Sequence, residues 1–332
     1  MKNVFKRVRS LILACFILIS VNLACACNGW NDLIITDNFI AYDGFSVNFL
    51  DVGEGDAIFI RFNDGKTMLI DCGEKNDKYL RLIERYLDEY AKNGLDYFVL
   101  THTDSDHVGN AENILENYLV RTAYVPYLIH PEQFGAYYKA YRIVEANGIA
   151  KTSVAGIVIT GVDYYAVFLS PNAIGTTDGA YKVVNSADIP SAGAINDLSP
   201  IIYLEYKGVK FLFTGDAGIK QEKTALNNIN TGIIDQELYY VGKSAIDISD
   251  IDFLKVSHHG ANDASGEEFL SKTTPQNAVV SVGGNNYGHP SKETISRLLA
   301  ANENCNIYLT SEYGTVSVLV DDDGKVTVKT AA

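Results

Sequence analysis

The alternation of apolar runs and polar turns along the chain predicts a mixed α/β fold. Short apolar runs joined by glycine turns predict an initial meander, and apolar residues at helical spacing then predict a helix that ends near Gly94. Strands are predicted at 45–52, 56–62, 67–71, 95–101, 122–126, 150–159, 164–169, 199–206, 209–214, 251–257 and 278–282. Helices are predicted at 79–90, 108–119, 132–147, 218–229 and 291–301.

The predicted strands fall into two successive groups with helices between them. A Gly-, Asn- and Asp-rich connection at 172–197 separates the two groups, and Asp323-Gly324 is typical of the turn in a closing hairpin. Strands grouped in this way favour two sheets that pack face to face and are covered outside by helices.

The first 26 residues differ from the rest of the chain and predict an export signal. Basic residues precede the apolar run LILACFILISVNLA, and the small residues Ala24-Cys25-Ala26 end the segment at a position suited to cleavage. The alternatives are a retained membrane anchor and a lipid on Cys25 or Cys27, and membrane contact is expected only through this segment. We therefore expect a bacterial protein that is secreted or attached to the cell surface. Its predicted organisation is a signal or anchor at 1–26, a short lead at 27–44 and a main domain at 45–330.

The acidic balance of the chain disfavours a nucleic-acid binder that relies on a basic surface. The 332 residues carry a formal net charge of −14, and loss of residues 1–26 removes four positive charges and no acidic ones, which gives −18. A basic patch is the usual electrostatic sign of a protein that binds nucleic acid. We therefore expect no stable nucleic-acid complex, and an anionic substrate would need metal ions or a local basic groove.

Histidines and aspartates cluster where predicted strands end. The stretch LDYFVLTHTDSDHVGN contains two histidines and two aspartates within six residues, while His258, His259 and His289 follow later strands. Imidazole and carboxylate donors suit zinc, manganese or iron. The stretch therefore predicts a metal site. Its alternative interpretation is a polar loop that caps the next helix, because aspartate and serine are good N-cap residues.

A further carboxylate follows another predicted strand. In KFLFTGDAG, Gly215 lets the backbone turn closely and places Asp216 at the strand end. An aspartate after a strand is also common as a helix cap. Beside the histidines, Asp216 becomes a candidate bridging ligand between two metal ions.

Taken together, these segments resemble the metallo-β-lactamase superfamily of hydrolases. HTDSDH is similar to its H-x-H-x-D-H signature, TGD to its bridging-aspartate motif and SHHG to its last histidine motif. More narrowly, the chain resembles the hydrolase domain of the ComEC family of DNA-uptake proteins in FLDVGEGDAIFI, LIDCGE, LTHTDSDHVG, FLFTGD, LKVSHHGA and SVGGNNYGHPSKETISRLL. The resemblance extends over residues 45–320. It implies a four-layer αββα sandwich, a two-metal site at one edge of the sheets, and hydrolysis of phosphodiesters, DNA strands included.

The chain departs from the superfamily pattern in two places. The second histidine of the signature is Asp104 here, a replacement that the ComEC-like branch shares and that makes manganese an alternative to zinc. The superfamily usually has a further histidine before the bridging aspartate, where this chain has AINDLSP instead. The only intervening histidine is His130, which we expect to be a surface residue before Pro131.

The resemblance implies a centre of two divalent ions, Zn²⁺ or Mn²⁺. Its ligands would be His102, Asp104 and Asp216 on the first ion, and Asp106, His107, Asp216 and His258 on the second, with His259 as the alternative to His258. Adjacent residues on a strand face opposite ways, so only one of these two histidines is expected to reach the metals unless the strand has already ended. Two such ions lower the pKa of a bridging water and stabilise charge on the attacking and leaving oxygens. Three carboxylates leave the centre with a formal charge of about +1, which favours an anionic phosphodiester.

Further residues near the motifs have predicted roles. His289, whose alternative interpretation is a turn histidine, would bind a phosphate oxygen or protonate the leaving group, so Asp106 and His289 are the candidate catalytic residues. Asp51, Asp56 and Asp71 are expected to be structural because they flank glycine turns. Asp71 can also orient a metal-bound histidine from outside the ligand set.

Three functions are compatible with these residues. The leading hypothesis is an exported metal-dependent phosphodiesterase or nuclease that uses a two-metal-activated water, with DNA or a cell-wall polymer as its anionic partner. The second keeps the site but changes the substrate to cell-wall phosphodiesters such as choline-decorated teichoic acid, or to a lactone or β-lactam, and the acidic surface favours it. The third is a non-catalytic metal-binding module, which the presence of every recognisable ligand disfavours. The sequence does not define the oligomeric state.

Overall fold

Two β-sheets stand at the centre of the computed structural model, which describes residues 39–172, 191–232, 234, 238, 242 and 245–331. The predicted signal at 1–26, the first part of the lead and most of the connection at 172–197 lie outside the described residues. Among the described residues, no helix combines the length and the apolar character needed to cross a membrane.

The first sheet has eight strands. They are β1 (Phe45–Phe49), β2 (Ile58–Arg61), β3 (Thr67–Ile70), β4 (Leu95–Val99), β5 (Val120–Val125), β6 (Ala150–Thr152), β14 (Val316–Val320) and β15 (Val326–Thr330). Their order is β15-β14-β1-β2-β3-β4-β5-β6. The meander β1 to β3 is antiparallel, whereas β3 to β6 run parallel to one another.

The second sheet has seven strands. They are β7 (Val158–Thr160), β8 (Tyr164–Phe168), β9 (Ile202–Tyr206), β10 (Val209–Phe213), β11 (Phe253–Lys255), β12 (Asn277–Val280) and β13 (Asn306–Leu309). Their order is β13-β12-β11-β10-β9-β8-β7, and β10 to β13 are parallel.

Helices cover the outer faces of both sheets. The described helices are α1 (Asp77–Tyr90), α2 (Ser105–Val108), α3 (Ala111–Asn117), α4 (Gly135–Ala146), α5 (Ala192–Asn196), α6 (Ile219–Asn230), α7 (Glu267–Thr273), α8 (Lys292–Ala301) and α9 (Thr310–Tyr313). In α1, Ile83, Tyr86 and Leu87 face the sheet and are fully buried, and the side chain of Asn76 caps the first turn.

Three apolar clusters separate four layers. The central cluster lies between the sheets, where the Phe45 ring of β1 stacks on Tyr206 of β9 at 4.2 Å between centroids. The other two lie between each sheet and its helices. This architecture confirms the predicted αββα sandwich.

The prediction of one strand at 150–159 was wrong. Ala150–Thr152 joins the edge of the first sheet, whereas Val158–Thr160 joins the edge of the second. The segment is thus a crossover between sheets, and the break lies at a turn in which Gly156 has a φ of 90°. The predicted helix at 108–119 is two shorter helices, α2 and α3.

Candidate metal centre

The predicted site residues follow the carboxyl ends of parallel strands. Asp71 comes directly after β3 and His102 shortly after β4, while Asp216 follows β10 and His258 follows β11. Carboxyl ends of neighbouring parallel strands lie at the same edge of a sheet, where ligands of open α/β sheets commonly bind. The fold therefore brings residues more than 100 positions apart into one cluster.

The two carboxylate oxygens of Asp216 face two different groups of side chains. Oδ1 lies 3.3 Å from Nε2 of His107 and 3.5 Å from Nε2 of His259. Oδ2 lies 3.8 Å from Nε2 of His258 and 3.9 Å from Nε2 of His102. This is the arrangement expected of a carboxylate that bridges two cations.

Each group also contains an aspartate from the first motif. Asp106 Oδ2 lies 3.5 Å from Nε2 of His259 and 3.8 Å from Nε2 of His107. Asp104 Oδ2 lies 3.8 Å from Nε2 of His102. Two groups of one aspartate and two histidines thus stand on either side of Asp216.

Hydrogen bonds on the outer side of the rings determine how three of the histidines face the cluster. Nδ1 of His107 donates to Asp71 at 2.8 Å, Nδ1 of His259 donates to the carbonyl oxygen of Ser281 at 2.8 Å, and Nδ1 of His258 lies 3.2 Å from Asp263. These partners accept hydrogen bonds, so Nδ1 carries the proton of the neutral ring and Nε2 is the nitrogen that is left to bind a cation.

His102 has the same orientation for a different reason. The Thr101 hydroxyl donates its single proton to Asp71 at 2.6 Å, and therefore accepts from Nδ1 of His102 at 3.0 Å. Nε2 of His102 is buried and has no hydrogen-bond partner among the described residues. A buried lone pair without a partner is costly, and a bound cation would satisfy it. The donor set therefore fits a divalent metal.

The charges of the cluster shift the pKa values of its members. Burial, together with the nearby His107, lowers the pKa of His102 to about 3. Burial also lowers the pKa of His107, but the carboxylates of Asp216 and Asp71 outweigh it and raise that pKa well above its ordinary value. Burial would raise the pKa of Asp216, yet His107 and His259 hold it well below its usual range. The cluster thus keeps Asp216 ionised, as a ligand must be.

Both histidines of the SHHG segment reach the cluster. His258 and His259 follow the end of β11 and adopt left-handed backbone angles, with φ of 49° and 52°. The strict alternation of a strand therefore no longer applies. His259, the alternative residue of the predicted set, lies beside Asp106 and His107, while His258 approaches the other oxygen of Asp216.

His289 lies beside the cluster without belonging to either group. Its ring is 5.5 Å from the ring of His258, and its Nδ1 is 3.0 Å from Oε1 of Glu54. Glu54 was not singled out from the sequence. Its position between Gly53 and Gly55, in a turn that precedes a strand, was the available signal.

A buried ion pair beneath the cluster was also missed. Nζ of Lys255 lies 2.6 Å from Oδ2 of Asp56, and both side chains are fully buried. Oδ1 of Asp56 lies 3.9 Å from Nδ1 of His259. Asp56 therefore lies next to the cluster, whereas the sequence predicted only a structural residue in a turn. A lone lysine within an apolar strand was the signal for a buried acidic partner.

The segment that replaces the missing histidine also lines the site. Asn196 is buried and its amide lies 3.3 Å from Nε2 of His258, while the Ser199 hydroxyl accepts from the backbone NH of Asp216 at 3.2 Å. The side chain of His130 is half exposed, and its Nδ1 lies 3.1 Å from Oε1 of Glu132.

Comparisons with known proteins agree with the predicted fold. Residues 50–190 match the metallo-beta-lactamase superfamily. The chain is 26% identical to ComE operon protein 3 of Bacillus subtilis, over 81% of this chain and 32% of that protein. It is 27% identical to recombination protein 2 of Haemophilus influenzae, over 72% of this chain and 24% of that protein. These matches confirm the ComEC-like resemblance, and the chain spans about a third or less of the length of these relatives.

Solved structures also resemble the chain. The metallo-beta-lactamase fold protein YhfI from Bacillus subtilis matches with a TM-score of 0.48 and 10% identity, over 82% of this chain and 99% of that one. CmlA, a diiron beta-hydroxylase from Streptomyces venezuelae, matches with a TM-score of 0.45 and 11% identity, over 84% of this chain and 55% of that one.

Proposed function

We propose that this chain, of which residues 50–190 match the metallo-β-lactamase superfamily, is a metal-dependent hydrolase that cleaves phosphodiester bonds. The observation that carries this proposal is the division of ligands by the two oxygens of Asp216, with His107 and His259 on one side and His102 and His258 on the other. Two divalent ions, Zn²⁺ or Mn²⁺, would supply an activated water and positive charge opposite the reacting phosphate.

The protein's own residues have distinct roles in this proposal. Asp106, with Asp104 and Asp216, supplies the negative charge that holds the cations. His107 and His102 are held in their ligating form by the hydrogen bonds that converge on Asp71. His289 contributes a ring nitrogen that can bind a phosphate oxygen or protonate the leaving group, and its contact with Glu54 determines which nitrogen faces the substrate.

The preference for a phosphodiester follows from charge. Three carboxylate ligands against two divalent cations leave the ligand set about +1. Of the two buried carboxylates beneath it, Asp56 is neutralised by Lys255 at 2.6 Å and Asp71 is hydrogen-bonded to His107 at 2.8 Å. An anionic phosphate oxygen is attracted to such a centre. The ComEC-like relatives support the same substrate class, since the resemblance implies hydrolysis of DNA strands.

The test is hydrolysis by the purified protein of bis-p-nitrophenyl phosphate and of labelled single-stranded DNA, with Mn²⁺ or Zn²⁺ added. His259→Ala should lose at least one of the bound metal ions and nearly all activity. His130→Ala is the matched control. Because His130 is exposed, this variant should keep its bound metal ions and its activity. Metal content is measured on the same samples by mass spectrometry. A metal-loaded protein that cleaves neither substrate would refute the proposal.

We also propose that the enzyme acts outside the cytoplasm. The support is the pattern of residues 1–26, in which basic residues precede an apolar run and small residues. Mass spectrometry of protein recovered from a bacterial expression host tests this. A mature chain beginning near residue 27, or a lipid on Cys25 or Cys27, supports export, whereas an intact amino terminus in the cytosolic fraction contradicts it.

A further inference from the structure

Tyr287 presents an aromatic ring to solvent next to the candidate metal centre. At 79% it is the most exposed large hydrophobic residue that the structure describes. Its ring stacks on His289, with 5.7 Å between centroids and 26° between planes. The His289 ring lies 5.5 Å from that of His258, which belongs to the metal cluster. A row of rings therefore leads from the surface to the cluster.

The loop that carries Tyr287 is held in one conformation by Asn285. The amide oxygen of Asn285 accepts from the backbone NH groups of Tyr287, Gly288 and His289 at 3.0, 2.9 and 3.1 Å. Its amide nitrogen donates to the carbonyl oxygens of Gly283 and His289 at 3.2 and 3.1 Å. Such a fully bonded side chain fixes the loop, so little conformational entropy is lost when a ligand contacts the ring.

The same loop is joined to the loop after β1 by Glu54. One carboxylate oxygen of Glu54 accepts from the backbone NH of Gly283 at 3.0 Å, and the other lies 3.0 Å from Nδ1 of His289. Gly283 cannot carry a side chain here, because a Cβ would lie 2.5 Å from the backbone nitrogen of Glu54. The position of the Tyr287–His289 stack relative to the cluster is therefore determined by two loops.

We propose that Tyr287 is a stacking platform for a nucleobase beside the scissile phosphate, so that this ring selects strands that carry bases. This inference rests on the proposed phosphodiesterase function. The chain carries a net charge of −14, so phosphate contacts at its surface contribute little affinity. Stacking of a base on an aromatic ring stabilises binding without any charge, by about 1–3 kcal/mol for each base.

The chemistry of the loop favours a base over a quaternary ammonium group such as choline. Quaternary ammonium groups are recognised by cages of several aromatic rings. Among the described residues of this loop, Tyr287 contributes a single exposed ring, and its neighbour in the stack is a histidine that repels a cation when protonated. A flat ring with one open face matches the flat face of a base.

The experiment compares two single strands of equal length and charge, one with bases and one with abasic residues throughout. The metal-loaded full-length protein and its Tyr287→Ala, Tyr287→Phe and Leu119→Ala variants are assayed on both. Leu119 is the matched control because it is 63% exposed and precedes β5, at the sheet edge opposite the metal motifs. The wild type should prefer the base-containing strand by roughly 5- to 100-fold in kcat/KM, mainly through KM.

Each outcome decides between distinct conclusions. Tyr287→Ala should lower the preference to near one, while Tyr287→Phe and Leu119→Ala should keep it. Equal cleavage of both strands by the wild type, or a preference that survives in Tyr287→Ala, would overturn the inference and leave the phosphodiesterase function intact. Cleavage of neither strand would remove the proposed function and this inference with it. Hydrolysis of p-nitrophenyl phosphorylcholine that depends on Tyr287, with no preference between strands, would assign the ring to a cation and also overturn the inference.

Discussion

Asp71 accepts a hydrogen bond from Nδ1 of His107 at 2.8 Å, beneath the candidate metal centre. The same carboxylate accepts from the Thr101 hydroxyl, which in turn accepts from His102. One buried carboxylate therefore orients a histidine in each of the two ligand groups. Asp71 itself has a φ of 55°, a left-handed conformation that asparagine also tolerates.

We expect Asp71→Asn to weaken metal binding about 10- to 100-fold without unfolding the protein. The asparagine keeps the backbone conformation, but it has only one acceptor oxygen. Oδ2 of Asp71 accepts from Nδ1 of His107 and from the Thr101 hydroxyl, while Oδ1 accepts from the Thr101 backbone NH, so the NH2 group of asparagine must face a donor at one of these two positions. Competition with a fluorescent chelator measures the affinity for Zn²⁺ and Mn²⁺. Asp247→Asn is the control, because Asp247 is exposed and precedes β11 at the opposite edge of the sheet. Unchanged metal affinity in Asp71→Asn would show that the hydrogen bonds to Asp71 do not affect metal binding by His107 and His102.

Gly55 contacts the metal motif through its backbone. A Cβ at this position would lie 2.1 Å from the carbonyl oxygen of Asp106, so the main chain of the motif must move in Gly55→Ala. Misplacement of reacting groups by about 1 Å can cost about 10²-fold in rate, and we expect a loss of that order in kcat/KM.

Gly65→Ala separates this clash from the cost of the backbone conformation. Gly65 also has a positive φ, but a Cβ there meets nothing within 4 Å. It precedes β3 and so lies at the sheet edge opposite Asp71. Activity and metal content should fall in Gly55→Ala and stay near wild type in Gly65→Ala. Equal losses in both variants would attribute the effect to backbone strain alone.

Most of the fold could be predicted from local sequence patterns, and the candidate metal ligands from those patterns together with the superfamily motifs. Apolar runs and helical spacing define β1 to β5 and α1, and each predicted ligand follows such a run directly. His102 and Asp216, for example, follow buried strands and match the superfamily motifs, whereas an aspartate after a strand would by itself also be compatible with a helix cap. The predicted and observed positions of these elements agree for that reason.

The remaining features depend on contacts that no local pattern contains. Lys255 and Asp56 are 199 positions apart, and their pairing exists only once both sheets have formed. The left-handed conformations of His258 and His259 depend on tertiary structure, because such conformations normally occur at single residues and not at two in succession. The division of ligands between the oxygens of Asp216 is likewise a property of the assembled site.

The buried pair of Lys255 and Asp56 gives a prediction for stability. Burial would raise the pKa of Asp56, but the Lys255 ammonium group, together with His107 and His259, outweighs it and lowers that pKa. Lys255→Met leaves a buried carboxylate without its partner, so we expect a loss of about 3–5 kcal/mol in the free energy of unfolding. Urea denaturation measures it. Lys255→Met combined with Asp56→Asn should recover part of the loss, and a double variant less stable than Lys255→Met would contradict this account.

Glu222 gives a prediction for the pH dependence of stability. Its carboxylate, buried in α6, accepts from the backbone NH groups of Ser265 and Gly266 at 2.6 and 2.8 Å, at the start of α7. Burial outweighs these hydrogen bonds and the nearby Arg297, and with a smaller contribution from Asp197 raises the pKa of Glu222 from 4.5 to about 7.

The folded pKa therefore exceeds the unfolded one, and the folded state binds the proton more tightly. The stabilisation of the folded state by the proton on Glu222 is complete below pH 4.5. It is lost as the pH rises towards 7, because the unfolded chain releases the proton first. The shift corresponds to about 3 kcal/mol. Glu222→Gln carries no titrating group, so the difference in unfolding free energy between wild type and this variant should fall by about that amount between pH 4.5 and 7.5. Comparison at each pH cancels the titration of the metal site, which both proteins share. Parallel stability curves for the two proteins would show that Glu222 is ionised in the folded state throughout, with its hydrogen bonds to α7 stronger than the burial that opposes them.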